Sequence, residues 1–203
     1  MKSQLVLGTR NKKKIAEITP LLADLPITVI DVSQLAHVPE IAEEGRTFLA
    51  NASAKAQGVA RASGSWTLAE DSGLVVPALG GEPGVDSALY AGTHGNDQAN
   101  NAKLIERIGS VAETDRGAFY VCVAVLCNPH GEIKAVSEGR CHGVIVPERH
   151  GTGGFGYDPL FLIPEYHRTF GQLSSTVKAV LSHRSKAITL IRPAIMQYVA
   201  STP

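Results

Sequence analysis

The chain has 203 residues, 44% hydrophobic and 19% charged, and its 19 basic residues balance 19 acidic residues to a formal net charge of zero. Proteins that bind a nucleic-acid polymer usually carry a basic surplus because each neutralised phosphate needs a cation. The balance therefore argues against polymer binding, although one small anion would need only a few local cations. No run of about 18 apolar residues is present, so no membrane span is predicted.

The cysteines and the start of the chain indicate a cytoplasmic protein. Cys122, Cys127 and Cys141 are odd in number and lack Cys-x-x-Cys spacing, and two of them lie in an apolar run where thiols usually act as small core side chains. The apolar stretch near the N-terminus is too short for a signal peptide. We therefore expect the chain to reside in the cytoplasm.

The first part of the chain alternates short apolar runs with helical periodicity. The predicted elements are a strand over 4–8, a helix over about 12–23, a strand over 27–32 and a helix over about 47–63. A proline- and acid-rich loop over 37–46 precedes the second helix. A further strand begins at Trp66, and we expect it to end at Glu70-Asp71-Ser72-Gly73.

The second part of the chain is richer in β-like runs. It begins with a glycine-rich loop over 80–96 and a helix from Asn96 or Asp97 to about 108. Strands follow over 118–127 and 132–140, around a turn at 128–131, and a further strand lies near 143–146. The last part, over about 175–200, is predicted to be helical except at 182–184 and at Pro193. Early alternation and late clustering of strands predict an α/β protein with a mixed sheet, in one domain over 1–203.

Two predicted helices carry notable polar side chains. The segment Thr9-Arg10-Asn11-Lys12-Lys13-Lys14 opens the first helix, where lysines are unfavourable next to the positive end of the helix dipole unless an anion binds there. In the second helix Thr47, Asn51 and Lys55 share one face at steps of four. Each segment alone is also compatible with a solvated polar face.

Carboxylates are paired in two segments expected to be loops. Glu43 and Glu44 precede the second helix, and Glu70-Asp71 end a predicted strand just before Ser72-Gly73. Such oxygen ligands suit magnesium, which uses one or two carboxylates with water and substrate phosphates. Asp71 could also accept a proton from an attacking water. Paired acids in loops are common, so a purely solvated role is the alternative.

The glycine cluster over 151–156 formally matches G-x-G-x-x-G, but the dinucleotide fingerprint requires a helix directly afterwards, and an extended Leu-Phe-Leu-Ile-Pro run follows instead. A loop that presents Phe155 for stacking on a planar base is the better interpretation, with a plain structural turn as the alternative.

Ser182-His183-Arg184, with Lys178 one turn earlier, offers hydrogen-bond donors that suit a keto oxygen and penalise an amino group. The alternative is that this segment simply caps a helix.

Six motifs occur in one order along the chain. They are Thr9-x-Asn11-x-x-Lys14, Glu43-x-Gly45-x-Thr47-Phe48-x-x-Asn51-Ala52-x-x-Lys55, Asp71-Ser72-Gly73-Leu74, Gly80-Gly81-x-Pro83-Gly84, Gly153-Gly154-Phe155-Gly156-Tyr157-Asp158-Pro159 and Ser182-His183-Arg184. Together they resemble the RdgB family of inosine/xanthosine triphosphate pyrophosphatases over essentially the whole chain.

The resemblance implies a two-lobed α/β fold around a long mixed central sheet, a homodimer, and a purine nucleoside triphosphate (ITP, dITP or XTP) held in a cleft between the lobes. It implies Mg²⁺ as cofactor, handled by Glu43 and Asp71, with Asp71 as general base for hydrolysis between the α and β phosphates. Substrate binding is implied for Thr9, Asn11, Lys14, Asn51, Lys55, Ser72, Phe155, Gly156, Tyr157, Asp158, Lys178, His183 and Arg184.

Within that set the resemblance implies distinct roles. The triphosphate would be bound by Thr9, Asn11, Lys14 and Lys55. The ring of Phe155 would stack on the purine. The edge of the base and its 6-keto group would be read by Asp158, Lys178, His183 and Arg184.

Three positions depart from the family pattern. Glu70 stands where the family often has aspartate, Leu89 where it usually has arginine, and Gln172 where an acid is frequent. The change at Leu89 leaves open a non-catalytic nucleotide-binding module. A Maf-type pyrophosphatase acting on pyrimidine nucleotides is a second alternative, although a pocket containing Phe155 and the Ser-His-Arg segment favours a purine.

Overall fold

The computed structural model describes residues 3–200 and contains one seven-stranded mixed sheet flanked by helices. The strands are β1 (Ser3–Leu7), β2 (Ile27–Asp31), β3 (Trp66–Val75), β4 (Gly117–Cys127), β5 (Ile133–Ile145), β6 (Phe161–Ile163) and β7 (Arg168–Thr169). The helices are α1 (Lys12–Leu22), α2 (Phe48–Ser63), α3 (Asp97–Ile108), α4 (Ser175–Leu181) and α5 (His183–Ile195), followed by a π-helical turn at Met196–Ala200.

The strand order in the sheet is β2-β1-β3-β4-β5-β6-β7. β1 pairs in parallel with both β2 and β3, whereas β6 pairs antiparallel with both β5 and β7. Parallel pairs joined through helices and antiparallel pairs in one sheet are the arrangement of a mixed α/β protein. The predicted fold class is therefore confirmed.

The chain divides into two compact units. Of the described residues, the first unit holds those up to 71, 122–139 and those from 184 onward, and the second holds 72–121 and 140–183. The chain therefore passes from one unit to the other within β3, within β4, within β5 and at the start of α5. The assignment of a single domain over 1–203, and of a cleft between lobes, stays a prediction.

The core of the first unit is built on both faces of β1. Leu5 and Leu7 belong to one apolar cluster together with Ile18 and Leu22 of α1 and Ile188, Ile191 and Ile195 of α5. Val6 belongs to another, with Val32, Val38 and Val59, the last from α2. Because successive side chains of a strand point to opposite faces, α1 and α5 cover one face of this part of the sheet and α2 covers the other.

The core of the second unit is aromatic. Tyr120 of β4 lies with its ring centroid 4.7 Å from that of Phe161, which in turn lies 5.3 Å from that of Phe170. Leu104 and Ile108 of α3 pack into the same cluster and are fully buried. This packing fixes β4 and α3, which carry side chains of the site described below.

Four predicted boundaries are wrong. α5 begins at His183, so of the break predicted at 182–184 only Ser182 lies outside a helix. β3 continues through Glu70 and Asp71 to Val75, so both acids lie inside a strand and not in a loop. β5 joins the two runs predicted as separate strands over 132–140 and 143–146. α5 continues through Pro193 because the fully buried side chains on its inner face stabilise the helix against the roughly 3 kcal/mol that an internal proline costs.

Two other predictions, the turn at 128–131 and the burial of the cysteines, are confirmed. Asn128 Oδ1 accepts hydrogen bonds from the N–H groups of His130 and Glu132 in the turn between β4 and β5. The three cysteine thiols are buried. Among residues 3–200, no helix is long and apolar enough to cross a membrane.

Two glycines in long strands provide a matched test of packing in the second unit. A Cβ at Gly143 of β5 would lie 2.5 Å from the carbonyl oxygen of Leu162 and 2.7 Å from Phe161 Cζ, whereas a Cβ at Gly117 of β4 would meet nothing within 4 Å. We expect Gly143→Ala to lower the free energy of unfolding by about 1–3 kcal/mol because the strand must shift. Gly117→Ala should change it by less than about 1 kcal/mol. Urea denaturation measures both, and equal effects would contradict the packing described.

Candidate active site

The start of α1 is organised by Asn11. Its side-chain oxygen accepts hydrogen bonds from the backbone N–H groups of Lys13 and Lys14, at 3.0 and 3.3 Å, and its own N–H donates to Thr9 Oγ1 at 3.2 Å. The first turn contains no acidic residue. Lys14 instead extends to Glu70 of β3, with its Nζ 3.0 Å from Glu70 Oε1. The first turn of α1 thereby contributes a cation to the middle of β3, where the acids lie.

The polar stripe of α2 is buried against β3. Thr47 caps the helix by accepting from Ala50 N–H, which places Asn51 and Lys55 one and two turns further along. Asn51 Nδ2 donates to Asp71 Oδ2 at 3.1 Å. Asn51 and Lys55 are only 4% and 8% exposed, so the alternative of a solvated face is wrong.

Lys55 joins two of the predicted acids. Its Nζ lies 2.8 Å from Glu43 Oε2 and 3.3 Å from Asp71 Oδ1. The loop of Glu43 approaches α2 closely because Gly45 donates its N–H to Asn51 Oδ1, and a Cβ at Gly45 would lie 2.5 Å from that oxygen. The structure therefore brings Glu43, Asp71 and Lys55 together, as the motifs predict.

Adjacent acids on β3 have different partners because their side chains point to opposite faces of the strand. Glu70 contacts Lys14 of α1 and Arg184 of α5, whereas Asp71 contacts Asn51 and Lys55 of α2. We call the seven side chains the carboxylate cluster: Lys14, Glu43, Asn51, Lys55, Glu70, Asp71 and Arg184.

The pKa values of the two acids are displaced in opposite directions. Burial raises the pKa of Glu70, but the charges of Arg184, Lys14 and Lys55 outweigh it and hold that pKa well below its usual range. For Asp71, burial raises the pKa, and the neighbouring charge of Glu70 adds to it, so that Lys55 and Lys14 offset the rise only in part. Glu70 is thus a fixed anion, and Asp71 is the more basic of the pair.

Arg184 is 2% exposed and lies between carboxylates. Its Nε lies 3.2 Å from Glu70 Oε1, and its Nη1 pairs with Glu17 of α1. Burial lowers the pKa of Arg184, but the carboxylate charges of Glu70 and Glu17 outweigh it and raise that pKa. The predicted contact of Arg184 with a base stays a prediction, and its observed role is to neutralise buried acids.

A second group of side chains surrounds Asp158, which is 3% exposed. Asp158 Oδ2 accepts from Phe155 N–H at 2.9 Å and from Lys178 Nζ at 2.6 Å, and its Oδ1 accepts from Tyr120 Oη at 3.4 Å. The ring of His183 stacks on Tyr120 at 4.7 Å. We call these five residues, all in the second unit, the Asp158 cluster.

The glycine cluster over 151–156 packs against Asp158 and lacks the following helix that a dinucleotide-binding motif requires. Gly154 has φ +71, and a Cβ there would lie 1.9 Å from Asp158 Oδ2. A short 3₁₀ turn at Asp158–Leu160 and then β6 follow, so rejection of the fingerprint is confirmed. Lys178 Nζ lies 4.9 Å from the centroid of the Phe155 ring.

The remaining predicted site residues have the following places. Tyr157 is 3% exposed and donates its hydroxyl to the carbonyl of Ser87, so it packs the loop. Gly156 follows Phe155 in a left-handed conformation with φ +60. Ser72 follows Asp71 in β3 and is half-buried.

The family departures at positions 89 and 172 leave both clusters intact. Leu89 is 46% exposed on a loop of the second unit. Gln172 Oε1 accepts a hydrogen bond from Thr169 N–H at 3.0 Å and stabilises a turn there. Neither position is a member of the carboxylate cluster or the Asp158 cluster.

Sequence reasoning missed Tyr120 and Glu17 as functional neighbours. Tyr120 lies in an apolar run that gives no polar signal. Glu17 stands three residues after Lys14 on α1, which is one helical turn, so its position on the same face could have indicated a partner for a buried cation. Within residues 3–200 no group of three or more His, Cys, Asp or Glu side chains is arranged to hold a metal ion.

Comparison with known proteins gives matches over nearly the whole chain. The model of the Ham1 family matches residues 5–194. A dITP/XTP pyrophosphatase of Rhodopirellula baltica is 49% identical over 97% of this chain and 95% of its own length. The solved Ham1 protein of Staphylococcus aureus is 39% identical, with TM-score 0.84, and covers 96% of this chain and 98% of its own. A HAM1 protein of Coxiella burnetii is 36% identical, with TM-score 0.88, and covers 97% and 100%.

Replacing Arg184 by Gln should destabilise the protein, because it removes a buried cation that neutralises Glu70. We expect a loss of about 3–5 kcal/mol in the free energy of unfolding at pH 7, measured with urea. The folded-state pKa of Glu70 is lowered, so the Arg184–Glu70 contribution is present above the unfolded carboxyl pKa of about 4.3 and is lost as pH falls through the folded value. The difference between wild type and variant should therefore shrink in acid.

The exposed pair Lys134–Glu132 supplies the control. Lys134→Gln should cost less than about 1 kcal/mol. If Arg184→Gln lowered the free energy of unfolding no more than Lys134→Gln does, the role assigned to Arg184 would be contradicted. A difference between wild type and Arg184→Gln that is independent of pH would also contradict it.

Proposed function

This chain belongs to the Ham1 family, and from that premise we propose that it is a hydrolase that converts the non-canonical purine triphosphates ITP, dITP and XTP to the monophosphate and pyrophosphate. The family match confirms the resemblance drawn from the motifs. The observation that carries the proposal is the pair of adjacent buried acids, Glu70 and Asp71, with pKa values displaced in opposite directions. Such a separation is typical of acid–base assignments in active sites.

The proposed reaction is attack of water on the α phosphorus, with the αβ bridging oxygen leaving on pyrophosphate. Asp71 is the general base: burial raises its pKa, the charge of Lys55 offsets part of that rise, and the carboxylate accepts the proton of the water. Lys14 and Lys55 stabilise the negative charge that develops on the leaving phosphates. Thr9 and Asn11 lie at the start of α1 and are proposed to orient the phosphate chain.

Mg²⁺ is the proposed cofactor, held by Glu43 and Asp71. Carboxylate oxygens suit this ion, and both carboxylates lie against the Lys55 ammonium, which supports the pairing of Glu43 with Asp71 around a positive charge. Magnesium typically binds through one or two carboxylates together with water and substrate phosphates. When bound, it supplies charge neutralisation of the phosphates.

The Asp158 cluster is proposed to bind the purine. The ring of Phe155 offers a stacking surface, and Lys178 and His183 offer hydrogen-bond donors to a 6-keto oxygen. A 6-amino group would place a donor against a donor, which penalises adenine. Asp158 supports this arrangement by holding both Lys178 Nζ and the Phe155 N–H.

The proposed setting is the cytoplasm, with the chain acting as a homodimer and without a nucleic-acid polymer or a membrane as partner. The zero net charge supports the absence of polymer binding. Sedimentation equilibrium measures the assembly directly: twice the 21.5 kDa chain mass is expected. A mass of one chain would remove the dimer from the proposal.

The substrate proposal predicts the outcome of a nucleotide panel with and without Mg²⁺. Pyrophosphate release from ITP, dITP and XTP should be magnesium-dependent and at least about 100-fold faster than release from ATP, because the amino group leaves the donors of the Asp158 cluster unpaired. Equal turnover of the four common triphosphates would contradict the keto-group argument. Preference for CTP or UTP would instead favour the Maf-type alternative.

Replacement of Asp71 by Asn tests the general base. Turnover of ITP should fall by about 10²–10⁴-fold while ITP binding persists, since the amide cannot accept the proton. In wild type the acid limb of the pH profile of kcat/KM should have its midpoint above the ordinary aspartate pKa of about 3.9, with activity present above that midpoint and lost as pH falls through it. The exposed Asp115→Asn variant is the control.

Retention of turnover in Asp71→Asn would show that another group accepts the proton. Binding of ITP by wild type without release of pyrophosphate would favour the non-catalytic module.

A further inference from the structure

Two side chains near the start of α3 hydrogen-bond to Gly156, one to its backbone N–H and the other to its carbonyl oxygen. Asp97 Oδ2 accepts a hydrogen bond from Gly156 N–H at 3.0 Å, and Asn101 Nδ2 donates to the carbonyl oxygen of Gly156 at 2.8 Å. Asp97 and Asn101 are four residues apart and so share one face of the helix. Neither residue belongs to the motifs that carry the family resemblance.

This contact fixes the backbone beside the proposed base-stacking ring. Gly156 directly follows Phe155 and adopts φ +60, a left-handed conformation. Glycine enters and leaves this conformation at little steric cost, so its backbone is mobile unless other groups restrain it. The N–H of Phe155 itself is held by Asp158 at 2.9 Å. The ring of Phe155 therefore depends on Asp158 on one side and on α3 on the other.

Packing alone does not explain an asparagine at position 101. Its side chain is 1% exposed, and its Oδ1 has no hydrogen-bond partner within residues 3–200. Burying an unpaired amide oxygen is unfavourable, and an apolar side chain of similar size would avoid it. The donor to Gly156 is the part of this side chain that an apolar residue could not supply.

We propose that Asp97 and Asn101, which we call the clamp on Gly156, are positioning residues. They orient Phe155 and thereby set the affinity for the purine base. The proposal rests on the proposed function, which assigns Phe155 to the base. It separates two parts of the substrate, because hydrogen bonds to Gly156 act on affinity for the base and not on affinity for the phosphate groups. A substrate analogue that lacks a base should be indifferent to the clamp.

The test compares ITP with inorganic triphosphate in Asp97→Ala, Asn101→Leu and the double variant, using calorimetry for binding and steady-state kinetics for turnover. We expect the Kd and KM for ITP to rise about 10-fold in the double variant, with kcat changed less than about 2-fold. This follows from the loss of the two hydrogen bonds to Gly156, which hold the backbone beside Phe155. Asn101→Leu also removes the hydrogen bond from Asn101 Nδ2 to the Asp97 carbonyl within α3, and inorganic triphosphate reports any general effect of that loss. The Kd for inorganic triphosphate should stay within about 2-fold of wild type.

Two control variants separate positioning from helix stability. Asp97→Asn removes the favourable charge from the first turn of α3 but keeps an oxygen that accepts from Gly156 N–H, so it should bind ITP like wild type. Gln98→Ala changes an exposed neighbour on the same turn and should have no effect on either ligand.

The outcomes are distinct. A wild type that binds ITP but releases no pyrophosphate refutes the proposed function, while the difference between ITP and inorganic triphosphate still decides the clamp. Unchanged ITP binding in the double variant overturns the clamp. Parallel weakening of both ligands overturns it as well, since that is the result of general destabilisation. Failure of wild type to bind ITP overturns both proposals.

Discussion

Two neighbouring carboxylates inside one buried strand set the constraint on which the rest of the first unit depends. Glu70 and Asp71 are 1% and 6% exposed, and an unpaired buried charge is too costly to retain. Their side chains point to opposite faces of β3, so cations must approach from both sides. The helices α1 and α5 provide Lys14 and Arg184 on one face, and α2 provides Lys55 on the other.

The same constraint gives the two acids different chemistry. Glu70, surrounded by cations, is ionised throughout the physiological range, and its charge raises the pKa of its neighbour. Asp71 keeps a higher affinity for a proton while remaining within reach of Lys55 and Asn51. Two consecutive acids thus provide a structural anion, Glu70, and a candidate base, Asp71. Their roles differ because their side chains contact different helices.

Local spacing in the sequence was sufficient to predict Asn51 and Lys55 as one face of a helix, and Asn11 and Lys14 as the start of another. The continuation of β3 through Glu70 and Asp71 was not predictable in this way, since acids normally mark the end of a buried strand and only their distant partners make them tolerable there. Arg184 lies 114 residues from Glu70, and no local pattern reports that pairing. The clamp on Gly156 was missed for the same reason, because Asp97 and Gly156 are 59 residues apart.

The proposed chemistry depends on the opposite displacement of the Glu70 and Asp71 pKa values, and titration of the side-chain carboxyl carbons followed by NMR measures both. The two resonances can be assigned with Glu70→Gln and Asp71→Asn variants. Asp71 should titrate above the ordinary aspartate pKa of about 3.9, and Glu70 should stay ionised well below the ordinary glutamate pKa of about 4.3. Titration of Glu70 at or above the midpoint of Asp71 would contradict the arrangement on which the proposed chemistry rests.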